Sequence, residues 1–249
     1  MAAVRVVPVQ GQMNVSIVDI PAFPGERLGI GFPEAIGDAA ATRWFGGIDV
    51  AWEHLGHGVW LCRGKAEGEL SYSLHVEPGE DFLHVAQEVT NESDRVWEQS
   101  LAFNCFQCGG SPSIRDHECL RHLVGQGGVT KRLIEVPREF GPRPAIQLYG
   151  VEGAPSWRQI PFVANFQCSP DDAVLEGWMA IRSREGKRLV AAASKPALFL
   201  FQNMEYSCIH SAAGFGRLAP GETGKAATRL YFVEATVEQW RERMLAEMG

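Results

Sequence analysis

The chain has 249 residues, of which 45% are hydrophobic and 21% are charged, and its formal net charge is -7. This composition is that of a globular protein with a substantial core, which excludes a disordered chain and a small domain held together by disulfides. With 23 Lys and Arg against 30 Asp and Glu, the chain has little of the positive charge that neutralises nucleic-acid phosphates. This composition argues against a DNA- or RNA-binding protein.

Short segments of alternating apolar and polar residues dominate the sequence, and Gly and Pro residues separate them. This pattern is typical of β-strands joined by turns. The clearest pair, 70–76 and 82–89, flanks a Pro-Gly turn and predicts a hairpin. Further strands are predicted, in chain order, over 14–20, 58–62, 96–107, 132–136, 145–151, 162–167, 173–181, 188–193, 197–202, 206–210 and 226–233.

One helix is predicted, at the C-terminus. Thr236 begins a Thr-Val-Glu-Gln capping box, and Val237, Trp240 and Met244 follow at helical spacing. The segment 109–128 is rich in Gly, Ser and charge and is predicted to be a long loop. Together the elements predict an all-β fold, a large antiparallel β-sandwich with a short C-terminal helix, in a single domain over residues 1–249.

The expected location is the cytoplasm. The N-terminal segment has no apolar core of signal-peptide length, and no apolar run is long enough to span a bilayer. The six cysteines are scattered along the chain, which favours reduced thiols over a disulfide framework. We therefore expect a soluble protein that does not contact membranes.

The densest cluster of reactive side chains lies in the predicted loop. There Asp116 directly precedes His117, and a carboxylate beside an imidazole can orient the ring, so His117 and Asp116 are candidate acid/base residues. The neighbouring Arg115 is a candidate substrate-binding residue. A solvated charged loop with no catalytic role explains the same residues equally well.

A second cluster lies near the predicted strand 206–210. Strand alternation puts Tyr206, Cys208 and His210 on one face and Glu205 on the other. His210 and Glu205 are candidate catalytic residues, and the alternative for His210 is a hydrogen-bonded core histidine. If both reach a cleft together with His117, two imidazoles and a carboxylate suit a divalent metal. The sequence requires no cofactor, and a divalent metal is compatible with it.

A zinc site is a further hypothesis. Cys105 and Cys108 form a Cys-x-x-Cys pair, and tetrahedral zinc would need two more ligands, for which Cys208 and His210 are candidates. Residues 105 and 108 of one strand face opposite sides, however, which argues against their sharing a metal.

A third group of polar residues follows the Gly-Pro-Arg-Pro segment. Arg143 could pair with a carboxylate in two hydrogen bonds, and Gln147 and Tyr149 share one face of the predicted strand. These three side chains are candidate substrate-binding residues.

Five short segments resemble motifs of a known superfamily in the same order. They are 89–93, 102–107, 114–118, 144–149, and 218–223 leading to 230–232. They resemble the vTNxS turn, the HxYFN segment, the DHE stretch, the PGLQLY strand and the closing PGE to YxF hairpin of the galactose mutarotase-like superfamily, which includes the aldose 1-epimerases. The resemblance implies a β-supersandwich and a small carbohydrate as the ligand.

The resemblance also identifies departures at the epimerase catalytic residues. In those enzymes a histidine of the HxYFN segment protonates the ring oxygen, and Phe103 stands at that place here. Asn104 and Gln107 are the nearby side chains that could bond a sugar hydroxyl. The late catalytic glutamate has no match, and Glu205 is the nearest late acidic residue. The epimerase acid/base pair is therefore missing from these motifs.

Three functions remain open from the sequence. The first is an enzyme of the sugar epimerase, isomerase or lyase-like kind, which acts on a sugar or sugar acid in the concave face of the sandwich by histidine acid/base chemistry. The second is a non-catalytic carbohydrate-binding or regulatory module. The third is a metal-dependent protein built on His117, Glu205 and His210. The expected partner is a small carbohydrate, and a homodimer through an exposed edge strand is compatible with the pattern.

Overall fold

The computed structural model describes residues 4–41, 43–46, 48–137, 143–155, 166–168 and 174–248, and the side chains of 143–147 and 166–168 are not among those described. The first strands are β1 (Arg5–Pro8), β2 (Asn14–Val18), β3 (Leu28–Asp38), β4 (Arg43–Phe45), β5 (Val50–Gly56), β6 (Val59–Ala66), β7 (Leu70–Pro78), β8 (Phe82–Asn91) and β9 (Trp97–Gln107). The later strands are β10 (His122–Gln126), β11 (Val129–Arg132), β12 (Arg143–Gly150), β13 (Phe166–Cys168), β14 (Trp178–Arg182), β15 (Leu189–Lys195), β16 (Ala197–Asn203), β17 (Cys208–Leu218) and β18 (Thr223–Val233). A 3₁₀-helix covers Leu133–Glu135, and the α-helix α1 covers Val237–Met248.

The strands of the described residues form two sheets of nine strands each. The front sheet has the order β1-β2-β3-β9-β17-β16-β12-β13, and β4 pairs with β3. The back sheet has the order β11-β10-β14-β15-β18-β8-β7-β6-β5. The named strands pair antiparallel except for β12 with β13. The prediction of an all-β antiparallel sandwich is confirmed.

The core lies between the two sheets because side chains alternate in direction along each strand. In β9, Ala102 and Phe106 belong to the core, and Phe106 meets Phe232 of the back sheet edge-to-face at 5.9 Å between ring centroids. The intervening Phe103 and Cys105 line a cavity instead. The front sheet therefore presents a second set of side chains on its outer face.

The helix α1 covers the outer face of the back sheet. Trp240 packs edge-to-face on Trp178 and Tyr231, at 5.0 and 5.6 Å between ring centroids. At its N-terminus, the Gln239 N–H donates to Thr236 Oγ1 at 3.2 Å, and the Thr236 N–H donates to Gln239 Oε1 at 3.0 Å. The predicted capping box and helix are confirmed. No helix in the described part of the chain is both long and apolar enough to cross a membrane.

Two local predictions are wrong. The strand predicted over 132–136 is instead the end of β11 followed by a 3₁₀-helix, because the Glu135 carboxylate accepts hydrogen bonds from the backbone N–H and Nε of Arg132 and closes a tight turn. The loop predicted over 109–128 is shorter than expected. Residues 122–126 form β10, which adds to the back sheet by pairing with β14.

Candidate functional site

A cavity of about 790 Å³ opens on the outer face of the front sheet. Its volume lies within the range of small-molecule sites. The floor comes from the central strands β9 and β17, and β3, β4 and β16 supply the sides. The lining residues are Glu34, Ala35, Trp44, Phe103, Cys105, Gln107, Gly109, Gly110, Phe201, Asn203, Tyr206, Cys208 and His210.

Aromatic rings form one wall of this cavity. Phe103 meets Phe201 edge-to-face at 5.0 Å between centroids and lies 4.5 Å from the His210 ring. Trp44 reaches the same cavity because β4 runs unusually close to β3, where a Cβ on Gly37 would collide with the carbonyl oxygen of Arg43. Such rings can pack against the apolar faces of a ligand.

His210 lies at the cavity floor and is 1% exposed. Its Nδ1 is 3.0 Å from the carbonyl oxygen of Phe201, and since a carbonyl only accepts, Nδ1 carries the proton. Its Nε2 is 3.8 Å from Oε2 of Glu34, whose side chain is 58% exposed. The structure thus joins an imidazole and a carboxylate from β17 and β3.

The electrostatics of this pair favour opposite charges. Burial by itself lowers the pKa of His210, but Cys105, Glu34 and the Phe201 carbonyl raise it, and the net direction is upward. The hydrogen bond with His210 lowers the pKa of Glu34, against a smaller opposing effect of burial. The neighbouring Cys208 and burial both raise the pKa of the Cys105 thiol.

The loop cluster predicted from the sequence lies elsewhere. Arg115, Asp116, His117 and Glu118 line a separate depression of about 420 Å³. His117 is exposed, and its Nδ1 lies 2.7 Å from the carbonyl oxygen of Met204. It does not line the cavity that contains His210.

Asp116 has a full set of local partners. It is 7% exposed, and its Oδ2 accepts from the Arg121 N–H at 2.7 Å and lies 3.0 Å from Nδ1 of the fully buried His122. Burial raises the pKa of Asp116, but these hydrogen bonds outweigh it and the net direction is downward. Its contacts are those of a residue that holds the 113–122 segment together.

We expect Asp116→Ala to lower the free energy of unfolding by about 2 kcal/mol, since two hydrogen bonds of about 1 kcal/mol each are lost. Urea titration of both proteins measures the difference. The matched control is Glu118→Ala, at an exposed position two residues further along, for which we expect the free energy of unfolding to change by no more than about 0.5 kcal/mol. Full stability together with lost turnover in Asp116→Ala would instead support the catalytic role predicted from the sequence.

The structure also separates Glu205 from the cavity, and with it the predicted metal ligands His117, Glu205 and His210 from one another. Glu205 is exposed in the turn before β17 and does not line the cavity. Among the described residues, the structure does not bring these three side chains together.

The predicted substrate-binding residues divide into three groups. Gln107 is exposed and lines the cavity. Asn104 and Tyr149 face the core instead: Nδ2 of Asn104 donates to Thr228 Oγ1 of the back sheet at 3.3 Å, and Tyr149 is fully buried. The side chains of Arg143 and Gln147, both in β12, lie outside the described residues.

Sequence reasoning missed the main acidic residue of the site. Glu34 is the single carboxylate between Leu28 and Ile36, in a segment otherwise apolar or small. An ionisable residue inside such a segment is a signal that could have been used. The Gly and Pro residues around it concealed the strand β3 that carries it.

The sequence and the structure of the chain differ in their likeness to known proteins. No protein-family model and no curated protein matches the sequence. The structure matches a galactose mutarotase-like protein from Lactobacillus casei ATCC 334 over 92% of this chain and 100% of that one, at 9% identity and a TM-score of 0.42.

Two further solved structures match. One is a galactose mutarotase related enzyme from Lactobacillus acidophilus, which matches over 94% of this chain and 98% of that one, at 8% identity and a TM-score of 0.45. The other is a galactose mutarotase-like protein from Clostridium acetobutylicum, which matches over 86% of this chain and 80% of that one, at 10% identity and a TM-score of 0.45. The chain is similar to galactose mutarotase-like proteins. The likeness is one of fold alone.

Proposed function

We propose that the chain binds a small polyhydroxylated molecule of sugar size in the cavity of the front sheet, and that Glu34 and His210 exchange protons with it. The observation that carries the proposal is the Glu34–His210 pair, with 3.8 Å between Nε2 and Oε2, in the lining of a cavity of about 790 Å³. A base and an acid side by side are what the ring opening, epimerisation or isomerisation of a sugar requires.

The remaining lining residues support a sugar-like ligand. Phe103, Phe201 and Trp44 offer aromatic faces for the apolar side of a sugar ring. Gln107 and Asn203 also line the cavity, and their amide groups can bond hydroxyl groups as donors and acceptors. An apolar wall with a few polar groups is the usual composition of a small-molecule site.

The binding step is tested by thermal unfolding of the metal-free protein in a chelator, with a panel of neutral sugars, polyols and uronic acids. A ligand at about 100 times its Kd should stabilise the fold by about 2.7 kcal/mol. Ala35→Phe, which fills the cavity from β3, should abolish this stabilisation. Ala51→Phe, at an exposed position of the back sheet, is the matched control and should retain it.

Each result of this experiment has a defined meaning. Stabilisation of the wild-type protein that Ala35→Phe lacks supports binding in this cavity. No stabilisation by any compound, or equal stabilisation of Ala35→Phe, overturns it. Binding without turnover of any bound sugar identifies the non-catalytic binding module.

A further inference from the structure

We propose that Cys105, Cys208 and His210 form a binding site for a thiophilic divalent metal ion of the zinc class. Sγ of each cysteine and a ring nitrogen of His210 all lie within 4.8 Å of one another, and all three residues are buried. They come from the adjacent strands β9 and β17 and face the same cavity. The site does not rest on the proposed sugar chemistry.

The spacing of the three ligand atoms is close to what zinc requires. With Zn–S near 2.3 Å and Zn–N near 2.0–2.1 Å, tetrahedral geometry places neighbouring ligand atoms roughly 3.5–3.8 Å apart. Atoms within 4.8 Å of one another therefore need only small side-chain rotations to meet one ion. Both cysteines are free thiols.

His210 is already oriented as a ligand. Its Nδ1–H donates to the Phe201 carbonyl, which leaves Nε2 as the nitrogen that faces Glu34. Loss of the proton from Nε2 would make its lone pair available to a metal ion. Metal-binding histidines are typically held in this way by a backbone carbonyl or a carboxylate on their other nitrogen.

The donor set selects the class of metal. Two thiolates and one imidazole suit Zn²⁺ and its spectroscopic substitute Co²⁺, whereas Mg²⁺, Ca²⁺ and Mn²⁺ prefer oxygen ligands. Three protein ligands leave the fourth position open toward the cavity, the arrangement found in zinc sites that bind water or a substrate. Oε2 of the Glu34 carboxylate lies 3.8 Å from Nε2 of His210.

The structure also decides which cysteine of the Cys-x-x-Cys pair takes part. Cys108 is fully buried in the core between the sheets, and its Sγ lies 3.8 Å from the carbonyl oxygen of Phe106. It faces away from Cys105, as strand alternation predicts. The four-ligand set considered from the sequence is therefore reduced to three.

The metal and a proton compete for the same nitrogen of His210. Binding would release the thiol protons of Cys105 and Cys208 and any proton on Nε2, as it must when thiolates and a neutral imidazole become ligands. In the metal-bound protein His210 could no longer donate a proton, and Glu34 would be the remaining proton-transfer group of the pair.

The test is titration of the reduced, metal-free full chain with Co²⁺. We expect one ion per chain, with thiolate-to-cobalt charge-transfer absorption and the visible bands of tetrahedral cobalt, both removed by added Zn²⁺. Cys208→Ser and Cys105→Ser should weaken binding more than about 100-fold, since even outer-shell partners are worth 10–100-fold. Cys108→Ala is the matched control and should bind as the wild type does.

The outcomes are separable from those of the sugar proposal. Glu34→Gln should keep the thiolate-to-cobalt charge-transfer band, because Cys105 and Cys208 supply the thiolates, and sugar binding is measured in chelator. If Cys208→Ser does not fold, the charge-transfer band of the wild-type chain decides, because only a thiolate ligand produces it. A wild-type chain without this band, or a band unchanged in a folded Cys208→Ser variant, overturns the metal site.

Discussion

Glu34→Gln is expected to lower kcat by about 10²–10⁴-fold on any sugar that the protein turns over, the range associated with loss of a general acid or base. Glutamine keeps the shape of the side chain and can still bond a hydroxyl group, but it cannot accept a proton. Because the Glu34 side chain is 58% exposed at the cavity, the substitution should leave the fold and ligand binding nearly unchanged. Steady-state kinetics and thermal shift measure the two effects separately.

The informative control for Glu34→Gln is His117→Asn. His117 is the foremost catalytic candidate from the sequence, yet it lies in a separate depression, and its Nδ1 lies 2.7 Å from the carbonyl oxygen of Met204. We expect this variant to keep its kcat within a few-fold. Loss of turnover in His117→Asn with normal turnover in Glu34→Gln would reverse the assignment and place the chemistry on the loop.

Asn91→Ala is expected to lower the free energy of unfolding by about 4 kcal/mol, since four hydrogen bonds of about 1 kcal/mol each are lost. Asn91 is fully buried at the end of β8. Its Nδ2 donates to the carbonyl oxygens of Arg95 and Leu218, at 2.7 and 3.0 Å, and its Oδ1 accepts from the N–H and Oγ of Ser93. One side chain thus joins the turn between β8 and β9 to the end of β17.

Urea titration measures this loss, and Glu92→Ala supplies the matched control at the exposed neighbouring position, where a change within about 0.5 kcal/mol is expected. A loss below about 1 kcal/mol in Asn91→Ala would mean that water replaces the amide at the strand end. A loss of about 4 kcal/mol would show that the Thr-Asn-x-Ser segment stabilises the fold, which is consistent with its absence from the cavity lining.

The elements predicted best are those specified by local patterns. The hairpin of β7 and β8 follows from strict alternation over 70–76, a Pro-Gly turn and an extended pattern over 82–89, and β7 pairs with β8 over its whole length. The helix α1 follows from Thr236 and the spacing of Trp240 and Met244, which bury one face. In both cases the residues that determine the structure are neighbours in the chain.

The elements missed depend on distant contacts or on unusual local composition. The strand β3 contains three glycines and a proline, which have low strand propensity, yet pairing with both β2 and β9 holds it in the front sheet. β10 is short and sits within a polar segment, and it becomes a strand by pairing with β14 and β11. Sheet partners of this kind cannot be read from one segment alone.

The same reason limits what the sequence reveals of the site. Strand alternation in the sequence places His210 on one face with Cys208, which makes it a candidate. Its partner Glu34 comes from a strand far away in the chain, and only the order β3-β9-β17 brings the two together. Asp116 and His117 were favoured because they are adjacent in sequence, but adjacency did not place them at the cavity.

Cavity-facing and core-facing side chains alternate along the two floor strands. In β9 and β17, Phe103, Cys105, Cys208 and His210 line the cavity, while Phe106 and Ile209 pack between the sheets. Substitutions at the first set can change which ligand is held or which reaction is performed, while the second set keeps the sandwich folded. Evolution could therefore replace the cavity-lining side chains, and with them the ligand or the reaction, several times while the core residues that stabilise the sandwich stay the same.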